Sequence, residues 1–197
     1  MERTPRLFVV SGPAGVGKGT LVSRVRAARP ELGLTVSATT REPRPGEVDG
    51  VSYHFMTEDE FQSHVDAGDF LEWAQVHDHR YGTLRSEVDR CLDAGRSVVL
   101  EIDVQGGANV KRLYPDVVRI FILPPSWEVL ESRLRGRGTE SEDSLRLRLA
   151  DARKELELAP TYDVRITNDD LDAAARELAE TIESHEIQGG TTTHVHH

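Results

Sequence analysis

A chain of 197 residues with 38% hydrophobic and 29% charged residues is long enough for one domain with a real core, and too apolar for a disordered chain. Its formal net charge of −10 argues against nucleic-acid binding, and its longest apolar runs, such as LFVV at 7–10, are too short to span a membrane. The single cysteine, Cys91, excludes an intrachain disulfide and favours a reducing, cytoplasmic location.

The first predicted elements are a strand, a glycine-rich loop and a helix. RLFVVSG (6–12) is a short apolar run, and TLVSRVRAA (20–28) has helical spacing. SGPAGVGKGT between them has the spacing G-x-x-x-x-G-K of a loop whose backbone N–H groups, helix start and lysine bind nucleotide phosphates, although a chance glycine-rich turn is the alternative. The predicted nucleotide-binding residues of this loop are Gly12, Pro13, Ala14, Gly15, Val16, Gly17, Lys18, Gly19 and Thr20.

Position 19 departs from the usual pattern, in which a Ser or Thr that binds Mg²⁺ follows the lysine. Here that residue is Gly19, and Thr20 carries the first hydroxyl. We therefore expect Mg²⁺ to depend on water and on an acidic residue elsewhere. The candidate is Asp103, acting through water, at the end of the predicted strand VVLEID, with Glu101 two residues earlier. Asp103 also suits the N-cap of a following helix, and the two roles are compatible.

The next stretch interrupts this α/β pattern. Residues 37–90 contain short strand patterns around one helix, for which Thr57 and Glu60 form a capping box. This predicts an inserted subdomain. After it, SVVLEID (97–103) and VVRIFILP (117–124) are typical of strands in a buried parallel sheet. Three helical patterns follow, at SWEVLESRL, LRLRLADARKELELA and LDAAARELAETI.

Several separate motifs resemble guanylate kinase, in the same order and with approximately the same spacing. They are SATTREPRPGEVDGVSYHF (37–55), FLEWAQVHDHRYGT (70–83), LEIDVQG (100–106), RLRGRGTES (133–141) and ITNDDL (166–171). The resemblance covers the chain from Arg6 to about Ile182. It implies transfer of the γ-phosphoryl group of ATP to GMP, and to dGMP, with Mg²⁺ as cofactor, in purine nucleotide recycling and GTP supply.

The fold that this resemblance implies is α/β, with a P-loop three-layer α/β/α core around a parallel sheet. We expect a single domain over 1–190, as a monomer or small homo-oligomer, followed by a disordered tail. The expected divisions are a core (1–36, 96–132 and 150–188), a GMP-binding insert (about 37–95), a lid (about 133–149) and the tail (189–197).

A nucleoside monophosphate offers a phosphate and a base to bind. Arg41 and Arg44 lie three residues apart around a proline, and planar guanidinium groups suit bidentate phosphate binding. Tyr53 and Tyr81 can each donate a phenolic O–H to the same phosphate. The alternatives are a solvated turn for the arginines and core positions with exposed hydroxyls for the tyrosines.

For the base, the resemblance assigns Glu72 to guanine, because a carboxylate accepts from N1–H and N2–H₂ together whereas adenine presents an acceptor at N1. It assigns Ser37 and Thr83 as hydroxyl donors toward O6, and it adds Asp103 to the GMP site. Without the resemblance, Glu72 would be an ordinary surface carboxylate.

The chemistry needs no general base, because the second pKa of an acceptor phosphate is about 6. Catalysis then requires in-line positioning of the reactants and neutralisation of charge on the transferring phosphoryl group. The resemblance assigns these roles to Lys18, Arg41, Arg133, Arg137 and Arg148. A charged helix face is the alternative for the last three. The resemblance also places Asn168 beside the adenine of ATP, although this residue would equally suit the N-cap of the last helix.

The sequence is also compatible with two other functions. One is a catalytically inactive guanylate kinase-like module that binds other proteins, and the other is a related kinase for another phosphorylated metabolite. The intact Lys18 argues against the first, and the guanine-reading set of Glu72, Ser37 and Thr83 argues against the second.

Overall fold

A computed structural model describes residues 3–76, 78–136 and 142–188. In chain order the elements are β1 (Leu7–Ser11), α1 (Lys18–Ala28), β2 (Ala38–Thr39), β3 (His54–Phe55), α2 (Glu58–Ala67), β4 (Phe70–Val76), β5 (His79–Leu84), α3 (Arg85–Asp93), β6 (Val98–Glu101), α4 (Val104–Leu113), β7 (Val118–Leu123), α5 (Trp127–Arg135), α6 (Glu142–Glu157), a 3₁₀ turn (Ala159–Thr161), β8 (Val164–Thr167) and α7 (Leu171–Gln188).

The main sheet is parallel, with the strand order β6-β1-β7-β8. All five residues of β1 are buried, because helices cover both faces of the sheet. Phe8 and Val10 pack with residues of α1, α5, α6 and α7, whereas Leu7 and Val9 pack with residues of α3 and α4. The predicted three-layer α/β/α arrangement around a parallel sheet is therefore confirmed.

A smaller mixed sheet with the order β3-β2-β5-β4 forms within the predicted insert. Its core contains Phe61 of α2, which stacks on Phe70 of β4 with the ring centroids 4.4 Å apart. Helix α2 begins with the predicted capping box, in which Thr57 Oγ1 accepts from Glu60 N and a Glu60 carboxylate oxygen accepts from Thr57 N.

Helix α3 falls inside the predicted insert of 37–95, but its buried residues Val88 and Cys91 pack with Leu7 and Val98 of the main sheet. By its packing, α3 is part of the core layer. The division into core, insert and lid otherwise stays a prediction. Residues 137–141 of the predicted lid and the whole predicted tail, 189–197, lie outside the described residues.

Strand β1 lies between β6 and β7, and the helices that follow β1 and β6, α1 and α4, pack on opposite faces of the sheet. In open α/β sheets, ligands bind in the crevice at the carboxyl ends of such strands. None of the helices in the described ranges combines the length and hydropathy needed to cross a membrane.

Candidate active site

The phosphate loop connects the end of β1 at Ser11 to the start of α1 at Lys18. Gly12 and Gly17 have φ angles of 148° and 97°, a region that favours glycine. A Cβ atom on Gly12 would lie 2.5 Å from the carbonyl oxygen of Ile122, and one on Gly17 would lie 2.5 Å from Nδ2 of Asn168. Both positions therefore require glycine for backbone conformation and for space.

Lys18 folds back onto its own loop. Its Nζ donates to the carbonyl oxygens of Gly12 at 2.5 Å and Pro13 at 3.1 Å. The ammonium group is thereby held against the loop whose backbone is expected to surround the phosphates, and the N-terminus of α1 adds its positive dipole end there.

Two carboxylates lie at the carboxyl end of β6, where Glu101 is the last residue of the strand and Asp103 follows two residues later. A Cβ atom on Gly19 would lie 3.2 Å from Oε2 of Glu101, so this carboxylate adjoins the position where a Ser or Thr side chain would begin. Asp103 caps α4, because its Oδ1 accepts from Gly106 N at 2.7 Å. The capping alternative is confirmed. Because a carboxylate has further lone pairs and Mg²⁺ prefers oxygen ligands, the donor set still fits a water-mediated metal contact.

Asn168 links three parts of the site. Its side-chain Nδ2 donates to Val16 O of the phosphate loop at 2.8 Å, and its backbone carbonyl oxygen accepts from Nη2 of Arg133 at 3.3 Å. The alternative role of Asn168, as N-cap of the last helix, is wrong, because Asp170 caps this helix by accepting from Ala173 N at 2.8 Å. The buried amide of Asn168 instead holds the loop against the end of β8. Its contact with adenine stays a prediction.

The predicted base-reading carboxylate lies on the small sheet. Glu72 of β4 faces Thr83 of β5 in the antiparallel register, and Thr83 Oγ1 donates to Glu72 Oε1 at 2.8 Å. The Thr83 hydroxyl has a single proton, and in this bond the proton is donated to Glu72. The bond therefore does not show the expected donation from Thr83 to guanine O6. Burial raises the pKa of Glu72, and the charge of Asp103 raises it further, while the Thr83 hydroxyl lowers it.

A cavity of about 330 Å³ joins the two halves of the site. Its lining includes Gly19 of α1, Glu101 of β6 and the two hydroxyl residues expected at the base, Ser37 and Thr83. The start of the phosphate-loop helix and the predicted base site therefore open onto one space.

The predicted acceptor-phosphate residues form a second group. The guanidinium of Arg41 lies 5.5 Å from the ring centroid of Tyr53 and 5.8 Å from that of Phe55. The rings of Tyr53 and Tyr81 are 6.0 Å apart, edge to face. The structure thus brings together three of the four residues expected at this phosphate, and Arg44 is exposed on the same loop.

Of the lid arginines, Arg133 of α5 is held by its bond to the carbonyl of Asn168. Arg148 lies on α6, and Arg137 lies outside the described residues. The catalytic roles of all three stay predictions.

The sequence interpretation missed Glu155 of α6. Burial raises the pKa of this carboxyl group, the nearby charge of Lys18 lowers it, and that of Asp103 raises it. A glutamate in the run RKELELA carries no signal of its own, because only the packing of α6 brings it near the charges of Lys18 and Asp103.

The parallel sheet, the glycine loop at the end of β1 and its lysine define a P-loop nucleotide-binding protein. The sequence model of the family Guanylate kinase matches residues 4–185. The chain is 49% identical to the guanylate kinase of Synechococcus sp. (strain CC9902) over 90% of this chain and 95% of that one, and 50% identical to that of Thermosynechococcus vestitus over 85% and 87%. The crystal structure of guanylate kinase from Anaplasma phagocytophilum is similar with a TM-score of 0.69 and 28% identity, over 94% of this chain and 88% of that one. The chain belongs to the guanylate kinase family, as the resemblance predicted.

Proposed function

We propose that this protein transfers the γ-phosphoryl group of ATP to GMP, giving ADP and GDP, and that it uses dGMP in the same way. The observation that carries the proposal is the shared cavity, which Gly19 of the phosphate-loop helix lines together with Ser37 and Thr83. Neither an inactive protein-binding module nor a kinase for another metabolite is favoured by the relatives.

Base selection follows from the Glu72–Thr83 pair. A half-buried carboxylate fixed by a hydroxyl accepts from guanine N1–H and N2–H₂, whereas adenine N1 would meet it lone pair to lone pair. Sites built on such hydrogen bonds reject a non-matching base by about 10⁴-fold, because their buried polar groups are then left unpaired.

Phosphoryl transfer needs alignment and charge neutralisation and no base, since the acceptor oxygen is already ionised near neutral pH. Arg41, Arg44, Tyr53 and Tyr81 hold the acceptor phosphate. The backbone N–H groups of the loop and Lys18 hold the donor phosphates.

The arginines Arg133, Arg137 and Arg148 supply further positive charge and, with the lid, exclude water that would otherwise accept the phosphoryl group. Bound Mg²⁺ would neutralise charge on the phosphate oxygens, and Asp103 with Glu101 would hold its waters. A cytoplasmic location and a monomeric or small homo-oligomeric state remain predictions from the sequence.

The test is a coupled assay of ADP release with ATP, Mg²⁺ and, in turn, GMP, dGMP, IMP, AMP, CMP and UMP. We expect turnover with GMP and dGMP, weaker use of IMP because it lacks the N2 amino group, and no use of AMP. Lys18→Ala serves as the inactive control. Absence of GMP turnover would overturn the proposal, and equal use of AMP would refute the role of Glu72.

A further inference from the structure

The loop that carries Arg41 and Arg44 closes on an acidic residue to which the sequence interpretation gave no role. Glu47 N donates to Arg44 O at 3.0 Å, and Arg44 N donates back to Glu47 Oε2 at 2.7 Å. The side chain of Glu47 therefore fixes the same turn that its backbone closes.

The same carboxylate also holds the guanidinium of Arg41. Nη2 of Arg41 donates to both Glu47 oxygens, at 2.9 and 3.0 Å, and the side chains of Arg41 and Glu47 are only 12% and 24% exposed. The hydrogen bond from Arg41, followed by that from Arg44 N, lowers the pKa of Glu47. Glu47 is thus ionised across the neutral range, and the pair is a partly buried salt bridge.

Other contacts define the remaining orientation of this guanidinium. Nη1 of Arg41 donates to Glu42 O at 2.7 Å, and the group lies near the rings of Tyr53 and Phe55. A guanidinium has five N–H donors, so a group held in this way can still donate to a further anion. Arginine otherwise loses much rotamer freedom when it binds a ligand, and a preorganised guanidinium avoids that cost.

We propose that Glu47 is a positioning residue for the acceptor phosphate, which holds the Arg41 guanidinium and the backbone at Arg44 in the arrangement that binds the phosphate of GMP. The inference rests on the proposed function, because it concerns the acceptor site of that reaction. It extends the site from the residues that contact the phosphate to the carboxylate that orients them.

The opposite role for a carboxylate on a phosphate-binding arginine is competition, in which Glu47 leaves when the phosphate arrives. The contacts favour positioning. Departure of the Glu47 side chain would break its bonds to Arg41 and also leave Arg44 N without the carboxylate oxygen that accepts from it. The two roles predict opposite effects of removing the charge, because loss of a competitor strengthens GMP binding and loss of a positioning group weakens it.

The test compares Glu47→Ala, Glu47→Gln and the parent enzyme by steady-state kinetics and by calorimetric titration with GMP and with guanosine. We expect Glu47→Ala to raise KM for GMP about tenfold or more and to leave KM for ATP and the affinity for guanosine within about twofold. Glu47→Gln should recover part of the loss, because its amide oxygen can still accept from Arg41 or Arg44 N. Asp59→Asn, an exposed carboxylate on α2, is the charge-matched control and should match the parent.

The outcomes distinguish failure of the positioning role from failure of the proposed function. A parent enzyme without GMP turnover contradicts the proposed function itself. An active parent with unchanged or tighter GMP binding in Glu47→Ala overturns the positioning role. An equal loss of affinity for GMP and guanosine also overturns it, because a general loss of structure would affect both ligands. Thermal unfolding of each variant confirms that the compared proteins are folded.

Discussion

Glu72 lies on β4 of the small sheet and Asp103 at the start of α4, yet the charge of Asp103 affects the ionisation of Glu72. The charge of Asp103 raises the pKa of Glu72, in addition to the larger effect of burial. Asp103 is fixed as the cap of α4, and Glu72 is fixed by Thr83. The base site therefore holds its carboxylates in set positions before any substrate binds, which reduces the cost of ordering on binding.

The raised pKa of Glu72 predicts a pH dependence of GMP binding. Only the ionised carboxylate accepts from both guanine donors, so affinity is full above this pKa and falls as the pH decreases through it. Because the pKa lies above the ordinary value of 4.5, the fall begins at a higher pH than for an exposed glutamate. Calorimetric titration with GMP from pH 8 down to about pH 5 measures it.

Glu72→Gln is the matched control for this experiment. The GMP phosphate titrates in both proteins with a second pKa near 6, so only the difference between the two profiles reports on Glu72. We expect kcat/KM for GMP to fall by about 10²-fold or more in the variant, with KM for ATP unchanged. Parallel pH profiles of the two proteins would contradict the role of Glu72.

The junction of β1, the phosphate loop and α1 shows why two neighbouring glycines differ in what they require. Gly17 has a positive φ and no room for a Cβ atom because Asn168 lies against it. Gly19 lies in the first turn of α1, where a Cβ atom would meet only the exposed carboxylate of Glu101. Gly17 is therefore required by the loop, whereas Gly19 is not required by backbone geometry.

Substitution by alanine distinguishes these two glycines. Gly17→Ala should lower the free energy of unfolding by about 1–3 kcal/mol, because alanine is strained at positive φ. Gly19→Ala should raise it by about 0.5 kcal/mol, because glycine is unfavourable within a helix and the Glu101 side chain can shift. Chemical denaturation with urea measures both values. A destabilised Gly19→Ala variant would show that Glu101 cannot move.

Two residues near the start of α7 allow a second comparison. Asp170→Ala removes the helix cap and should lower the free energy of unfolding by about 1 kcal/mol, with KM for ATP unchanged. Asn168→Ala removes the bond to Val16 O of the phosphate loop and should raise KM for ATP as well as lower stability. Kinetics and denaturation on the same samples measure the two effects. Equal KM values for ATP in the two variants would contradict the coupling of Asn168 to the loop.

The main sheet, α1 and the small sheet all border one cavity. Substrates that bind there link elements distant in the chain and should stabilise the fold. A ligand at 100 times its Kd adds about 2.7 kcal/mol to the free energy of unfolding.

We expect GMP to raise Tm of the parent by several degrees, and to raise Tm of Glu72→Gln much less at the same concentration. ATP should stabilise both proteins alike, and thermal unfolding measures all four combinations. Equal shifts by GMP would contradict the assignment of the base site.

Features that depend on residues close together in the chain could be predicted from the amino-acid sequence. The strand–loop–helix unit around Lys18, the capping box of α2 and the parallel α/β core follow from local spacing and hydrophobic pattern. The candidate residues at the acceptor site came from short motifs that resemble guanylate kinase. These features are local because backbone conformation and helix or strand period are set within a few residues.

The partner of each polar group could not be predicted in this way, because it depends on how distant elements pack. Thr83 donates to Glu72 because two strands lie in register, and Asn168 donates to Val16, 152 positions away, because β8 packs beside the phosphate loop. Glu47 lies near Arg41 in the chain, but only the closed turn shows that one carboxylate holds both the guanidinium and the Arg44 backbone. A hydrogen bond or a pKa depends on distances of a few ångströms, and these distances are set by how the elements pack.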